Sequence, residues 1–327
     1  MKYLKISTII TNYNYGKYIN ECIKSVINQN YQNFEIIIID DLSTDNSLAN
    51  IKKYKLKNLY LIKNKKNLGQ LASINKGFMK SSGDIITFLD ADDYYNGNYF
   101  DNLNYFYNNN PSADFTYCDI KITKKFKIKN NKTLVNKFKK EQYNAIRNIF
   151  LKETSNTISP TSALTMRKKS FNKIFVNKFY EKFFKLRADD YIYLLAVFFQ
   201  KNIYKIFDNY INYRVHLNNN FYHQRNNTYL RLKNPERVEQ VYTIFKSIIK
   251  IKRFQINFKT IKNEILNKDF FRFQDIKIIN SRSKIKKKLL ISLIMIKSYL
   301  QYSKKISQKI FIILLLLINI LRLKKIW

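Results

Sequence analysis

The sequence predicts an α/β fold: a mainly parallel sheet flanked by helices, with a C-terminal helical basic extension. Near-continuous apolar runs (KISTIIT, FEIIIID, DIITFLD) alternate with stretches whose apolar residues recur at helical spacing. Such runs fit strands buried on both faces, which is how parallel sheets sit beneath crossover helices. The extension is marked by charge. No acid follows Asp275, while 13 Lys and Arg occur in the last 52 residues.

KISTIIT reads as a strand ending near Thr11, and YINECIKSVINQ as a helix with Ile19, Cys22, Ile23, Val26 and Ile27 on one stripe. FEIIIID is a second strand closed by Asp40 and Asp41. A helix follows it, with Ser43 or Thr44 as cap. NLYLIK, helical GQLASINKGFMKS and DIITFLD complete the alternation. Helical NYFDNLNYFYNN and strand-like ADFTYCDIKI come next, and 121–140, with nine lysines and no acid, reads as a loop or exposed hairpin. RADDYIYLLAVFFQ predicts a helix with Asp189 and Asp190 in its first turn, and IYKIFDNYINYRVH predicts strands. The boundaries expected are an α/β domain over 1–220 and a helical, Lys-rich region over 221–327.

The formal net charge is +37, from 60 basic and 23 acidic residues, and implies an anionic partner. Twelve of the acids lie at or before Asp119, so the first third is nearly balanced. Cys22 and Cys118 lack metal-site spacing and fit a reduced, cytoplasmic setting. Residues Ile310–Leu321 would make a helix of about 18 Å, short of the roughly 30 Å of bilayer hydrocarbon.

In a parallel α/β sheet, ligands sit beyond the carboxyl ends of the strands. Asn12, Tyr13, Asp41, Asp90 and Asp92 all fall at such ends. Asp90 and Asp92, two apart at a strand end, would face one side; with a bound diphosphate they suit Mg²⁺ or Mn²⁺. The alternative is that these acids serve as turn and cap residues. No GxGxxG or GxxxxGK[ST] is present, so phosphates would need metal and side chains to hold them.

The ordered series TNYN, INQNYQNFEIIIIDDLSTDNS and NKKNLGQLASINKGFMKSSGDIITFLDADD resembles the inverting family-2 glycosyltransferases of GT-A fold, a Rossmann-like architecture. The resemblance implies transfer of a sugar from a nucleotide-sugar donor, with UDP-sugars as candidates, to an acceptor hydroxyl, using a divalent metal. It implies a nucleotide-binding role for Thr11, Tyr13, Asp41 and Asp90, and metal binding by Asp92 with Asp90 and Asp93. Asp190 matches the catalytic base, while YRVH puts Arg214 at the diphosphate and His216 beside the metal. The pattern departs at Leu42, where the family usually has Gly, and at Asp189, where it usually has Glu. No QxxRW occurs, which argues against a processive synthase.

The implied product is a bacterial surface polysaccharide such as capsule or lipopolysaccharide, built on a glycan or lipid-linked acceptor. The basic tail then reads as a contact with an anionic membrane surface, placing the protein in the cytoplasm, peripheral on the inner face of the cell membrane. A solvated helical surface is the alternative for the tail. A nucleotidyltransferase would want a Gly-rich phosphate loop, which TNYNYGKY does not supply. Nucleic acid is not the expected partner, because acids at the strand ends repel phosphate.

Overall fold

A computed structural model of the 327-residue chain describes residues 2–124, 126–127, 137–141, 159–176, 178–181, 184–185, 187–199, 201–216 and 219. All but Asn219 belong to one compact unit, Met1–Phe150 with Thr154–His216. The expected helical region 221–327 and its membrane contact lie outside the described residues.

The chain alternates as its apolar periods require. Strand β1 (Ile6–Asn12) is followed by α1 (Ile19–Ile27), β2 (Phe34–Asp40), α2 (Ser47–Lys52), β3 (Leu59–Lys63), α3 (Gln70–Lys80) and β4 (Ile85–Asp90). After β4 come the short β5 (Tyr94–Tyr95), α4 (Tyr99–Asn109), β6 (Phe115–Thr123) and β7 (Phe138–Lys140). A 3₁₀ turn, Thr161–Ala163, leads into β8 (Leu164–Arg167); then come α5 (Ala188–Phe198) and β9 (Ile203–Arg214).

Among the described residues one nine-stranded sheet runs β3-β2-β1-β4-β8-β6-β9-β5, with β7 also paired to β9. Its first four strands are parallel, joined by crossover helices. β8 lies antiparallel between β4 and β6, so the sheet is mixed beyond β4. Both faces of the parallel half are covered. Ile6 and Ile10 join Ile19, Cys22, Ile23 and Val26 of α1 with Leu103 and Phe106 of α4 in one apolar cluster. Ile9 points the other way and meets α3 at Gly77, where an added Cβ would lie 2.4 Å from Ile9 Cγ2. Each such isoleucine, taken fully from water, contributes about 1.5–3 kcal/mol.

Three local expectations need correcting. IYKIFDNYINYRVH forms one strand, β9, whose pairing with β6 shifts register around Asp119; the bulge lets a 12-residue strand follow the sheet's twist. Neither Ser43 nor Thr44 caps α2: Asn46 is the cap residue, and Asp45 Oδ1 accepts the Ser47 N–H at 2.9 Å. Finally, β4 stops at Asp90, and the Asp93 N–H closes a turn onto the Asp90 carbonyl at 2.9 Å. Asp92 therefore sits in a turn, and strand alternation does not set its direction.

Candidate active site

The carboxyl ends of β1, β2 and β4 form a polar floor. Thr11 Oγ1 donates to Asp90 Oδ1 at 3.3 Å. Asn12 Nδ2 donates to Asp40 Oδ2 at 2.8 Å and to Ser43 Oγ at 3.0 Å, fixing the turn after β2. Within that turn Leu42 takes φ 67°, a left-handed conformation that glycine adopts without cost. This accounts for glycine as the usual residue there. Tyr13 stands at the rim, 47% exposed as a residue and open to stacking.

Asp41 is turned inward. Its Oδ1 accepts from Asn64 Nδ2 at 2.7 Å and from the Leu68 N–H at 2.8 Å, and its Oδ2 from the Gly69 N–H at 2.7 Å. A carboxylate offers about four acceptor positions, so one is left for a ligand.

The Asp90–Asp93 turn is held from two sides. Ser162 Oγ accepts the Asp90 N–H at 3.0 Å and donates to Asp93 Oδ2 at 2.6 Å. From β9, the Arg214 N–H donates to Asp93 Oδ1 at 2.9 Å and Arg214 Nε to the Asp92 carbonyl at 2.8 Å. The Arg214 guanidinium is buried between Tyr18 and Tyr94, 4.8 and 5.2 Å from their ring centroids, and forms an ion pair with Glu21. It thus lies beneath the acids and anchors them. His216 Nε2 is 3.0 Å from Asp92 Oδ2. Since a carboxylate only accepts, Nε2 carries the proton in this contact. The imidazole stacks on Tyr18 at 4.6 Å and meets Tyr15 edge-on at 5.8 Å.

Crowding of these acids shows in their proton affinities. Burial, then the Asp92 charge, pushes Asp90 up to about 7, with Asp189 adding to the shift. Burial, then Asp92 and Asp90, pushes Asp93 well above the usual carboxylate range. Ionised Asp90 therefore costs stability. Its folded-state pKa lies above the unfolded value, so the cost grows as pH rises from about 4 to about 7 and is complete above that. Asp90→Asn keeps the acceptor for Thr11 and Gln70 and removes the charge. In metal-free buffer it should raise the unfolding free energy by about 2 kcal/mol at pH 8, allowing for solvent screening, and by less at pH 5. Urea melts at both pH values check this; equal gains would refute it.

Among the described residues no three His, Cys, Asp or Glu side chains gather as a metal cage. Asp92 Oδ2 and His216 Nε2 are donor types that Mg²⁺ or Mn²⁺ accepts, but their 3.0 Å contact is a hydrogen bond, so Nε2 would have to give up its proton before both could ligate one ion. Such an ion commonly takes one or two protein ligands and completes its shell with substrate phosphates and water.

Asp189 and Asp190 open α5. Asp190 is buried, with Arg187 Nη2 at 3.1 Å from Oδ1 and 3.0 Å from Oδ2. Asp189 is half-buried, and its charge acts on Asp90. Sequence reading missed Gln70, whose Nε2 donates to Asp90 Oδ1 at 2.8 Å while its Oε1 accepts the Ala188 N–H at 3.0 Å. It also missed Ser162 and Arg187. Gln70 had a signal, since LGQ opens a predicted helix beside the strand ends. Ser162 had none, because its partners lie 69 and 72 residues away.

Comparison with known proteins bears on family and fold. The chain is 37% identical over 100 residues to the glycosyltransferase GlyG of Streptococcus pneumoniae, covering 30% of this chain and 33% of that one. It is 40% identical over 121 residues to an uncharacterized glycosyltransferase of Haemophilus influenzae, covering 35% and 48%. The matched stretches thus span less than half of these relatives. Among solved structures, S. aureus TarS 1–349 in complex with UDP superposes with a TM-score of 0.64 at 20% identity, over 92% of this chain and 81% of that one. A mannosyltransferase from Pyrobaculum calidifontis in complex with GDP-Man and Mn²⁺ gives 0.55 at 15% identity, over 98% and 88%. These two show the GT-A-like fold. The model of glycosyl transferase family 2 matches residues 7–175, just over half of the 327-residue chain, and the chain belongs to that family.

Proposed function

We propose that this protein is a non-processive, inverting glycosyltransferase that moves a sugar from a nucleotide-diphosphate sugar to an acceptor hydroxyl in bacterial surface-glycan synthesis. The observation that carries the reading is the acid cluster at the end of β4. Asp90 and Asp93 are pushed up by burial and by their acidic neighbours, while Asp92 and His216 present a metal-compatible pair. An acid cluster of this kind suits a bound divalent cation, and a diphosphate supplies the remaining ligands.

The donor's base lies against Tyr13 and the last acceptor position of Asp41, near Thr11. Asp92 and His216, with Asp90, would hold Mg²⁺ or Mn²⁺. When bound, that ion supplies positive charge for the departing diphosphate. Asp93 and Arg214 fix the turn that presents Asp92. The acceptor oxygen attacks the anomeric carbon, its proton passes to an Asp190 oxygen, and the bond to the diphosphate breaks with its electron pair on the leaving group. A single in-line displacement inverts the anomeric centre. Arg187 holds Asp190 in place for that proton.

Nucleoside-diphosphate release, screened over UDP- and GDP-sugars with Mg²⁺ or Mn²⁺, tests the reaction. Turnover of at least one donor that chelation abolishes is the expected result; no turnover of any of them would overturn it. The tail supports a docking surface on anionic membrane, so the full-length chain should pellet with phosphatidylglycerol vesicles at low salt and not at high salt.

A further inference from the structure

We propose that Gln70 is a positioning residue that ties the acid cluster at the end of β4 to the start of α5, and so sets donor and base in register. The proposal rests on the glycosyl-transfer reading above. Its ground is geometric. The Gln70 amide spans two elements, with Nε2 2.8 Å from Asp90 Oδ1 and 3.4 Å from Thr161 Oγ1, and Oε1 3.0 Å from the Ala188 N–H.

Chemistry fixes the amide's orientation. A backbone N–H cannot accept, so the carbonyl must face Ala188, and the NH₂ is left to donate to Asp90 Oδ1, which can accept whether or not that carboxyl is protonated. Reversing the amide would set its NH₂ against the Ala188 N–H. Neither Glu nor Asn reproduces both bonds: Glu sets a second carboxylate against Asp90, and Asn is one methylene too short to reach both partners.

The turn that carries Gln70 is held by both neighbours. Asp41 binds the N–H groups of Leu68 and Gly69. The Gln70 N–H donates to the Lys185 carbonyl at 2.7 Å, and the Leu71 N–H to Phe184 at 3.2 Å. Gly69 sits at φ 88°, and a Cβ there would lie 2.6 Å from Lys185 Cα. Residues 68–71 thus donate hydrogen bonds to the base-pocket acid and to Asp90, and accept one from the helix bearing Asp190. Backbone bonds hold the turn, so shortening the side chain removes the link while leaving the turn's own anchors.

A role confined to filling space would leave turnover per folded molecule unchanged. The test therefore reads two quantities. Hydrogen exchange at the Ala188 amide should quicken roughly tenfold or more in Gln70→Ala, because its acceptor is gone. In Gln70→Glu the acceptor remains, and protection should persist. For whichever UDP- or GDP-sugar of the screen the wild type uses, kcat should fall roughly 10- to 100-fold in both variants, with donor KM within about twofold. Unchanged exchange in Gln70→Ala overturns the link. Unchanged kcat overturns the positioning role. A rise in donor KM that accounts for the whole loss would make Gln70 a donor contact instead. If the wild type turns over none of the nucleotide sugars, the glycosyl-transfer reading fails, and the Ala188 exchange decides the link by itself.

Discussion

Asp190→Asn should lower kcat for sugar transfer by about 10²- to 10⁴-fold, the usual contribution of a positioned general base, with donor affinity within about twofold. The side chain lies at the first turn of α5, 2% exposed, with Arg187 Nη2 close to both of its oxygens. An amide preserves the shape and one acceptor oxygen but cannot take a proton at neutral pH. The rate should therefore fall without a matching loss of donor binding. Part of the Arg187 pair is also lost, so melting curves must accompany the kinetics to separate unfolding from inactivity. The neighbouring acid supplies the control. Asp189→Asn should retain most of the rate if Asp190 is the base. Wild-type turnover in Asp190→Asn with loss in Asp189→Asn would transfer the role to Asp189.

Arg214→Ala should destabilise the protein by about 3–5 kcal/mol, the cost of removing one partner from a buried charge network. The guanidinium side chain is 6% exposed, packs between two tyrosine rings and pairs with Glu21. Its loss leaves the Asp92 carbonyl and the Glu21 carboxylate without their partner. Arg214→Lys keeps the charge but cannot reproduce the planar contacts with Tyr18 and Tyr94, so it should recover only part of the loss. Chemical denaturation at neutral pH reads both variants. If Arg214 instead reaches the diphosphate, Arg214→Ala will weaken donor binding and cost less than about 1 kcal/mol of stability.

The parallel half of the sheet was legible because each strand there is a continuous apolar run and each helix carries an apolar stripe. These are local signals. The strand ends followed, and with them Thr11, Asp41 and Asp90 as floor residues. What was hidden depends on pairing across the chain. Two-residue β5 and four-residue β8 are too short for periodicity to register. β8 also reverses direction within the sheet, which no local pattern announces. Asp92 looked like a strand residue because its spacing from Asp90 fits one; the Asp93 N–H ends that strand first. Arg214 was expected at the diphosphate from its place in YRVH, and nothing in that segment announces a guanidinium buried among aromatic rings. Its burial follows from Tyr18 and Tyr94, which flank it only after folding.

That buried guanidinium separates the molecule's charges into two populations. Among the described residues Lys24, Lys52, Lys53, Lys65 and Lys66 are exposed, part of a basic excess that water and counter-ions can reach. Added salt shortens the reach of that field from about 10 Å at 0.1 M to about 3 Å at 1 M. Arg214 and Asp92, with side chains 6% and 9% exposed, lie where few counter-ions penetrate. Ionic strength thus relaxes repulsion across the shell while leaving the acid turn seated on its cation, so crowding of like charge outside need not loosen the geometry inside.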